Sequence, residues 1–174
     1  MTAAQIEPCP GCGALFPPQT GAMHQYIGAS TACWGLYSAL LNGGEPPLAP
    51  GQFNALLVDA YAAQHPGQPS PQAIQSVAVH LLTLYGVLVR GLPPQRALWV
   101  RQQAVSTKHG GKDGRYSWLT PPDLTQTIAI AAIVAQPTPA ARTALVEQYV
   151  RVVWQVWAGY EGVVGAWYGR YVAR

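Results

Sequence analysis

The sequence places two cysteines in a short turn that could hold a metal ion. The segment is Cys9-Pro10-Gly11-Cys12-Gly13, and its glycines allow the backbone to turn tightly around a metal. Two thiolates separated by two residues are typical ligands of zinc, which prefers sulfur and imidazole donors in a tetrahedron. A redox dithiol is disfavoured, because no alternating strand and helix pattern surrounds the motif. We therefore predict zinc as the cofactor.

The other zinc ligands must come from elsewhere, because the chain has no second Cys-x-x-Cys pair. Cys33 is the third cysteine and His24 lies between it and the turn. A set of Cys9, Cys12, Cys33 and His24 can therefore close within the N-terminal segment. The alternative histidines are His65, His80 and His109. Four protein ligands would make the site closed and structural, whereas three ligands and a water would make it catalytic.

A second group of polar residues lies between two predicted helices. The segment Asp59-Ala60-Tyr61-Ala62-Ala63-Gln64-His65-Pro66 precedes a helix that begins at Ser70-Pro71. If the two helices form an antiparallel hairpin, Asp59 faces Ser76 and comes near His80. The candidate catalytic residues are Asp59, His65 and His80. The candidate substrate-binding residues are Tyr61, Gln64, Gln72 and Ser76.

Three functions are open for this polar group. Asp59 and His80 could form a buried pair that only satisfies its own hydrogen bonds. His65 or His80 could instead bind a metal, or the Asp59 and His80 side chains could perform acid–base catalysis. In each case the Asp59 and His80 side chains must have hydrogen-bond partners, because buried polar groups need them.

Local start and stop signals divide the rest of the chain into helices. Ser70-Pro71 and Thr138-Pro139 each combine a capping hydroxyl with a proline at the first helical position. The predicted helices cover residues 32–41, 53–65, 71–90, 94–105, 123–135 and 138–174, and the first 31 residues form a loop-rich cap. The sequence therefore predicts an all-α fold, a single-domain helical bundle with a metal-binding cap at its N-terminus. Its parts are a cap over 1–31, a helical core over 32–135 and a long aromatic helix over 138–174.

The last predicted helix carries an apolar seam with heptad spacing. Its members are Val146, Val150, Val153, Trp157, Tyr160, Val164, Trp167 and Tyr171. One straight helix of this length would be longer than the diameter of a compact domain of this size. The helix should therefore overhang the bundle or break near Gly159–Gly165. An overhanging seam would expose a large apolar patch, so we predict a homodimer formed through this helix.

Composition excludes several classes of protein. Of 174 residues, 49% are hydrophobic and 10% are charged, which excludes an intrinsically disordered chain. A net charge of +3 is too small for a nucleic-acid-binding surface. Apolar stretches at 127–135 and 152–169 are too short or too interrupted for a membrane span. Residues 1–8 show no basic region followed by an apolar run, so we expect no signal peptide; since the cysteine count is also odd, we predict a cytoplasmic protein with reduced thiols.

Several motifs together resemble a bacterial family that is described only as a domain of unknown function. They are Cys-Pro-Gly-Cys-Gly-Ala at 9–14, His24 with Tyr26, Cys33-Trp34, Asp59-Ala-Tyr-x-x-Gln-His-Pro66 and Ser76-Val-x-Val-His-Leu81. The tryptophan-rich C-terminal helix fits as well. The resemblance implies a small, stand-alone cytoplasmic protein and supplies no activity.

Two functional hypotheses follow from the residues. The first is a zinc-binding helical protein whose polar group binds a small molecule or performs acid–base chemistry. The second is a non-catalytic interaction or regulatory module that dimerises through the C-terminal helix. Motifs for phosphate-binding loops, dinucleotide folds, hydrolase elbows and zinc proteases do not occur, so whether the protein is an enzyme is left open.

Overall fold

The computed structural model describes residues 6–43, 46–106 and 115–173, and it is mainly helical. The helices are α1 (Thr31–Leu41), α2 (Leu57–Gln64), α3 (Pro71–Leu88), α4 (Ala97–Val105), α5 (Ile130–Val134), α6 (Pro139–Trp157) and α7 (Glu161–Tyr171). The predicted helical fold is thus confirmed. His109, one of the alternative zinc ligands, lies outside the described residues.

Helix starts follow the capping signals of the sequence. The Ser70 hydroxyl accepts a hydrogen bond from the Ala73 amide at 3.1 Å, and Thr138 does the same for Ala141 at 3.1 Å. Ser30 caps α1 in the same way through the Cys33 amide. Each cap satisfies an amide that the first helical turn leaves without a partner, so these boundaries are set locally.

Helix α3 lies at the centre of the fold. It packs against α2, α4, α6 and α7, and its apolar stripe of Val77, Leu81 and Leu84 is buried. The hairpin of α2 and α3 is the one that the sequence predicts. Because α2 and α4 both pack on α3, polar side chains from three helices can meet on its surface.

The N-terminal cap contains a feature that the sequence did not reveal. Two short strands, β1 (Glu7–Pro8) and β2 (Leu15–Phe16), pair antiparallel. They bring Cys9 and Cys12 into one hairpin, in which the Cys9 amide donates to the Ala14 carbonyl at 2.8 Å. Gly13 has φ of 71°, which favours glycine at this turn. Strands of two residues are too short to show alternating hydrophobicity, so the sequence predicts only a loop here.

Three of the predicted helices are divided in the structure. The expected helix over 94–105 is a 3-10 turn, Pro94–Arg96, followed by α4. The expected helix over 53–65 is a 3-10 turn, Gln52–Leu56, followed by α2. The expected helix over 123–135 is a 3-10 turn, Leu124–Gln126, capped by Asp123 and followed by the short α5. None of the described helices is long and apolar enough to cross a membrane.

The long C-terminal helix is also divided. A 3-10 turn at Ala158–Tyr160 separates α6 from α7, close to the break that the length argument predicts. Gly159 lies within this turn and Gly162 follows it, and glycine lowers helix propensity by about 1 kcal/mol relative to alanine. At Gly165, α7 approaches α3 so closely that a Cβ would lie 3.0 Å from the Tyr85 hydroxyl. Helix α7 therefore packs against α3 and α4 and does not overhang the bundle.

Most of the heptad seam lies inside the molecule. Val146, Val150, Val153, Trp157 and Val164 are all fully buried. The homodimer prediction depended on an exposed seam, so it loses that physical basis. Light scattering at micromolar concentration would decide between the mass of one 18.6 kDa chain and that of two.

Candidate metal centre

Four side chains with metal-binding atoms come together between the cap and the helices. They are Cys9 and Cys12 from the cap hairpin, Cys33 from α1, and His65 at the end of α2. Their ligand atoms all lie within 4.8 Å of one another. Each residue is at most 4% exposed, so the cluster is closed to bulk solvent.

The spacing of these atoms suits a tetrahedral site. Cys12 Sγ lies 4.0 Å from Cys33 Sγ, and Cys33 Sγ lies 3.5 Å from His65 Nε2. Zinc bonds of about 2.3 Å to sulfur and 2.0 Å to nitrogen give tetrahedral edges of about 3.8 Å and 3.5 Å. These two distances therefore match a tetrahedral zinc site, and the remaining pairs of ligand atoms lie within 4.8 Å.

A hydrogen bond orients His65 for metal binding. Its Nδ1 lies 2.9 Å from the Tyr61 carbonyl oxygen, which can only accept, so Nδ1 carries the proton. In the neutral ring, Nε2 then has a free lone pair that points at the thiols. Metal-binding histidines usually have such a second partner, which fixes the tautomer and the plane of the ring.

Two hydrogen bonds support the thiolate ligands. The Ser30 amide donates to Cys9 Sγ at 3.3 Å, and the Tyr61 hydroxyl donates to Cys33 Sγ at 3.5 Å. Tyr61 therefore contacts the cluster through both its hydroxyl and its carbonyl. Its aromatic ring also stacks on Tyr37, with centroids 3.7 Å apart, which fixes its position.

The crowding of three thiols shifts their pKa values in different directions. Hydrogen bonds from Cys12 and Cys33 lower the pKa of Cys9 well below its usual range. Cys33 favours the thiolate of Cys12, but the hydrogen bond to Cys9 and burial outweigh this effect and raise the Cys12 pKa to about 11. Hydrogen bonds to Cys12 and Cys9 and burial raise the pKa of Cys33 strongly. Three thiolates can coexist here only beside a cation.

Gly11 allows His65 to reach the cysteine hairpin. A Cβ at position 11 would lie 2.3 Å from His65 Cδ2 and 2.7 Å from the Gln64 carbonyl oxygen. On the other side of this segment, the Gly28 amide donates to the His65 carbonyl at 3.0 Å. The end of α2 is thus held between two parts of the cap, and this contact selects His65.

We expect Gly11→Ala to weaken zinc binding at least tenfold, because the added methyl group displaces the His65 ring. Overpacking of this kind typically costs about 1–3 kcal/mol. Competition against a chelator of known zinc affinity measures the effect. Gly35→Ala is the matched control, because no atom lies within 4 Å of a Cβ there. Equal zinc affinity in the two variants would contradict the prediction.

His24, the first choice for the fourth ligand, is not in the cluster. Its ring packs against Tyr26 and Trp34, with centroid distances of 4.3 and 5.2 Å. His24 therefore lies outside the cluster, although it stands between Cys12 and Cys33 in the sequence. The structure instead brings in His65, which the sequence analysis held as an alternative.

Asp59 and His80 form the second polar site. The His80 Nδ1 atom donates to Asp59 Oδ1 at 2.8 Å, as the hairpin geometry predicts. Arg101 from α4 also pairs with this oxygen, with its Nε at 3.2 Å. Asp59 is fully buried, while the His80 side chain is 17% exposed. His65, which the sequence analysis grouped with these residues, contacts the thiols instead.

The candidate substrate-binding residues have different surroundings. Gln64 is fully buried; its amide donates to Thr127 and Ile128 and accepts from Tyr149, so all its groups have partners within the protein. Ser76 lies on α3 beside His80 and lines two cavities with it, of about 190 and 270 Å³. Tyr61 lines the first of these cavities and Gln72 the second.

Arg101 and the aromatic wall of the smaller cavity are not evident from the sequence. Arg101 is a single cation in an ordinary helical pattern, so only the packing of α4 on α3 reveals its partner. Trp34 and Tyr37 also line the 190 Å³ cavity. The Cys33-Trp34 pair was visible in the sequence, but its neighbours across the fold were not.

Comparison with known proteins places the chain in a family. No curated protein and no solved structure matches it. Residues 7–158 match the family of unknown function DUF5946, so the match covers both cap cysteines, Cys33, His65 and the Asp59 and His80 pair. Since this match extends over most of the chain, the protein belongs to DUF5946, a family whose function is unknown.

Proposed function

We propose that the protein binds one structural zinc ion through Cys9, Cys12, Cys33 and His65. The observation that carries this proposal is the close approach of three sulfurs and one imidazole nitrogen in a buried cluster. Sulfur and nitrogen donors at tetrahedral spacing favour zinc over magnesium or calcium, which prefer oxygen. Four protein ligands leave no open position, so the ion is structural and not catalytic.

The zinc would act as a cross-link within the fold. Cys9 and Cys12 lie in the cap hairpin, Cys33 lies in the first turn of α1, and His65 ends α2. One ion would therefore join the cap to two helices of the bundle. The cap hairpin would benefit from such a link because its two strands are only two residues each.

Metal analysis of two histidine variants tests the proposed ligand set. We expect the native protein and His24→Ala to retain one zinc per chain, because His24 lies outside the cluster. We expect His65→Ala to bind zinc at least tenfold more weakly, because one of four ligands is lost. Replacement by cobalt(II) should give the absorption bands of a tetrahedral sulfur-ligated ion in the native protein. If His24→Ala loses zinc and His65→Ala retains one zinc per chain, His24 and not His65 is the fourth ligand.

We further propose that the Asp59 and His80 pair forms a small-molecule site capable of acid–base chemistry. The hydrogen bond of 2.8 Å orients the imidazole, and the ring borders two cavities. A buried carboxylate that holds a histidine in one tautomer is the arrangement by which many enzymes prepare a general base. The zinc cluster and this pair would thus serve different purposes, the first stabilising and the second binding.

A further inference from the structure

We propose that the cavity beside His80 binds a small uncharged molecule, about the size of one six-membered ring, whose hydroxyl group donates a hydrogen bond to His80 Nε2. This inference rests on the proposed role of the Asp59 and His80 pair. It adds the chemical class of the ligand, which follows from the orientation of His80 and from the size and charge of the cavity.

The orientation of His80 determines which polar group the ligand needs. Asp59 pairs with Arg101 as a carboxylate and can only accept a hydrogen bond, so His80 Nδ1 donates to it. In the neutral ring, Nε2 is then an acceptor. Nε2 is the polar atom of His80 that Asp59 leaves unpaired, and His80 borders the cavity. This atom favours a ligand that can donate a hydrogen bond.

The size of the cavity limits the ligand. Its volume is about 190 Å³, and Trp34, Tyr37 and Tyr61 form much of its wall. An apolar cavity of about 150 Å³ in another protein is large enough to hold benzene. A single ring with one hydroxyl group therefore fits this cavity. The adjoining 270 Å³ cavity shares Tyr26, Ser76 and His80 with it and offers room for a polar substituent.

The charge of the cavity favours a neutral ligand. Among the described residues, no Asp, Glu, Lys or Arg side chain lines either cavity. Asp59 lies behind His80, and Arg101 balances its charge. A zinc ion with three thiolates and one imidazole would carry a net charge of −1 on the far side of Tyr61. An anionic ligand therefore has no Lys or Arg side chain to pair with at these walls and has a negative neighbour. The other lining imidazole is that of His24, whose buried Nδ1 has no partner in the described part of the protein.

The aromatic residues do not form an open cage for a cation. The Tyr37 and Tyr61 rings stack on each other with centroids 3.7 Å apart, and the Tyr61 ring also packs against His65 at 4.1 Å. Tyr37 and Tyr61 are only 3% and 1% exposed, so neither offers an open ring face. A cation needs an exposed ring face, so it gains little from this wall.

Four ring compounds of similar size test the class of ligand. Phenol, toluene, benzoate and benzylammonium are titrated into the zinc-loaded full-length protein, and the imidazole ¹⁵N resonances of His80 report binding. We expect phenol to bind at least tenfold more tightly than toluene, because only phenol donates to Nε2. We expect benzoate and benzylammonium to bind more weakly than phenol. Equal affinities for phenol and toluene would overturn the assigned hydrogen bond.

Other outcomes separate this inference from the function on which it rests. Tightest binding of benzoate or benzylammonium would overturn the ligand class but keep a small-molecule site at His80. If no compound shifts the His80 resonances, both the ligand class and the small-molecule site fall. The zinc proposal depends on metal content and is unaffected by either result.

Two variants locate the bound phenol. Ser76→Leu places a larger side chain where both cavities meet and should weaken phenol binding at least tenfold. Gln155→Leu adds the same side chain to the exposed face of α6 and should leave the affinity unchanged. Both folds are checked by their helical circular dichroism. Unchanged phenol binding in a folded Ser76→Leu variant would place the ligand elsewhere and overturn the proposal.

Discussion

Replacing Cys12 with Ser is expected to release the zinc and to open the N-terminal cap. A structural zinc contributes about 10–16 kcal/mol of binding free energy in small zinc-binding peptides. The free energy of unfolding of a whole domain is only about 5–15 kcal/mol. Loss of one ligand therefore removes a large part of the total stability. The cap hairpin should lose its order first, because it has little core of its own.

Dependence on free zinc concentration gives the sharpest measurement of this effect. When zinc binds only the folded state and exceeds its dissociation constant, each tenfold increase in free zinc raises the free energy of unfolding by about 1.4 kcal/mol. The native protein should follow this slope in buffered zinc, and Cys12→Ser should show almost none of it. Adding a chelator should destabilise the native protein and leave the variant unchanged. If neither zinc nor chelator changes the free energy of unfolding of the native protein, the structural role of zinc is refuted.

The local parts of this fold were accessible from the sequence because their causes are local. Ser70-Pro71 and Thr138-Pro139 begin helices through contacts within three residues, and both starts are correct. The cysteine pair likewise indicates a metal through its own spacing. The hairpin of α2 and α3 follows from the turn between them, which is why the contact between Asp59 and His80 could be predicted.

The fourth zinc ligand could not be chosen from the sequence. His24 lies between the cysteines along the chain, whereas His65 reaches them only because the end of α2 packs against Gly11 and Gly28. The choice of ligand depends on the close approach of the α2 backbone to the cap backbone. Such an approach produces no periodic pattern in the sequence. Gly11 inside the cysteine turn was the available clue, because a missing side chain there makes room for a partner.

The C-terminal seam shows a different kind of failure. Its heptad spacing continues through Ala158–Tyr160, so the pattern does not show that α6 and α7 are separate helices. Trp157 anchors the end of α6 by donating to the Ala63 carbonyl at 3.1 Å, and the Tyr160 hydroxyl donates to the Thr120 carbonyl at 2.9 Å. These tertiary contacts lie at the two ends of the 3-10 turn, and a periodic sequence pattern carries no sign of them.

Removing the Asp59 carboxylate is expected to destabilise the fold strongly. Asp59 on α2 pairs with His80 on α3 and with Arg101 on α4, so one buried carboxylate joins three helices. Breaking a buried pair by removing one partner costs about 3–5 kcal/mol, because the remaining charge stays poorly solvated. Arg101 is only 24% exposed, so little of this cost is relieved by water. We expect Asp59→Ala to lower the free energy of unfolding by this amount.

A double-mutant cycle separates the pair from the packing around it. Arg101→Met alone should also destabilise, because it leaves Asp59 buried with only His80 as a partner. The double variant, Asp59→Ala with Arg101→Met, should cost less than the sum of the two single changes, since no unpaired charge is left. Urea unfolding followed by circular dichroism gives each free energy. Strictly additive costs would show that the two residues act independently.

An exposed ion pair provides the matched control for this cycle. Glu147 and Arg151 on α6 lie 2.9 Å apart, with side chains about half exposed, and pairs of this kind contribute about 0.3–0.5 kcal/mol. Glu147→Ala should therefore change the stability far less than Asp59→Ala. The contrast arises from burial, because both carboxylates contact an arginine and only Asp59 is shielded from solvent. Equal costs for the two variants would mean that the buried carboxylate does not hold α2, α3 and α4 together.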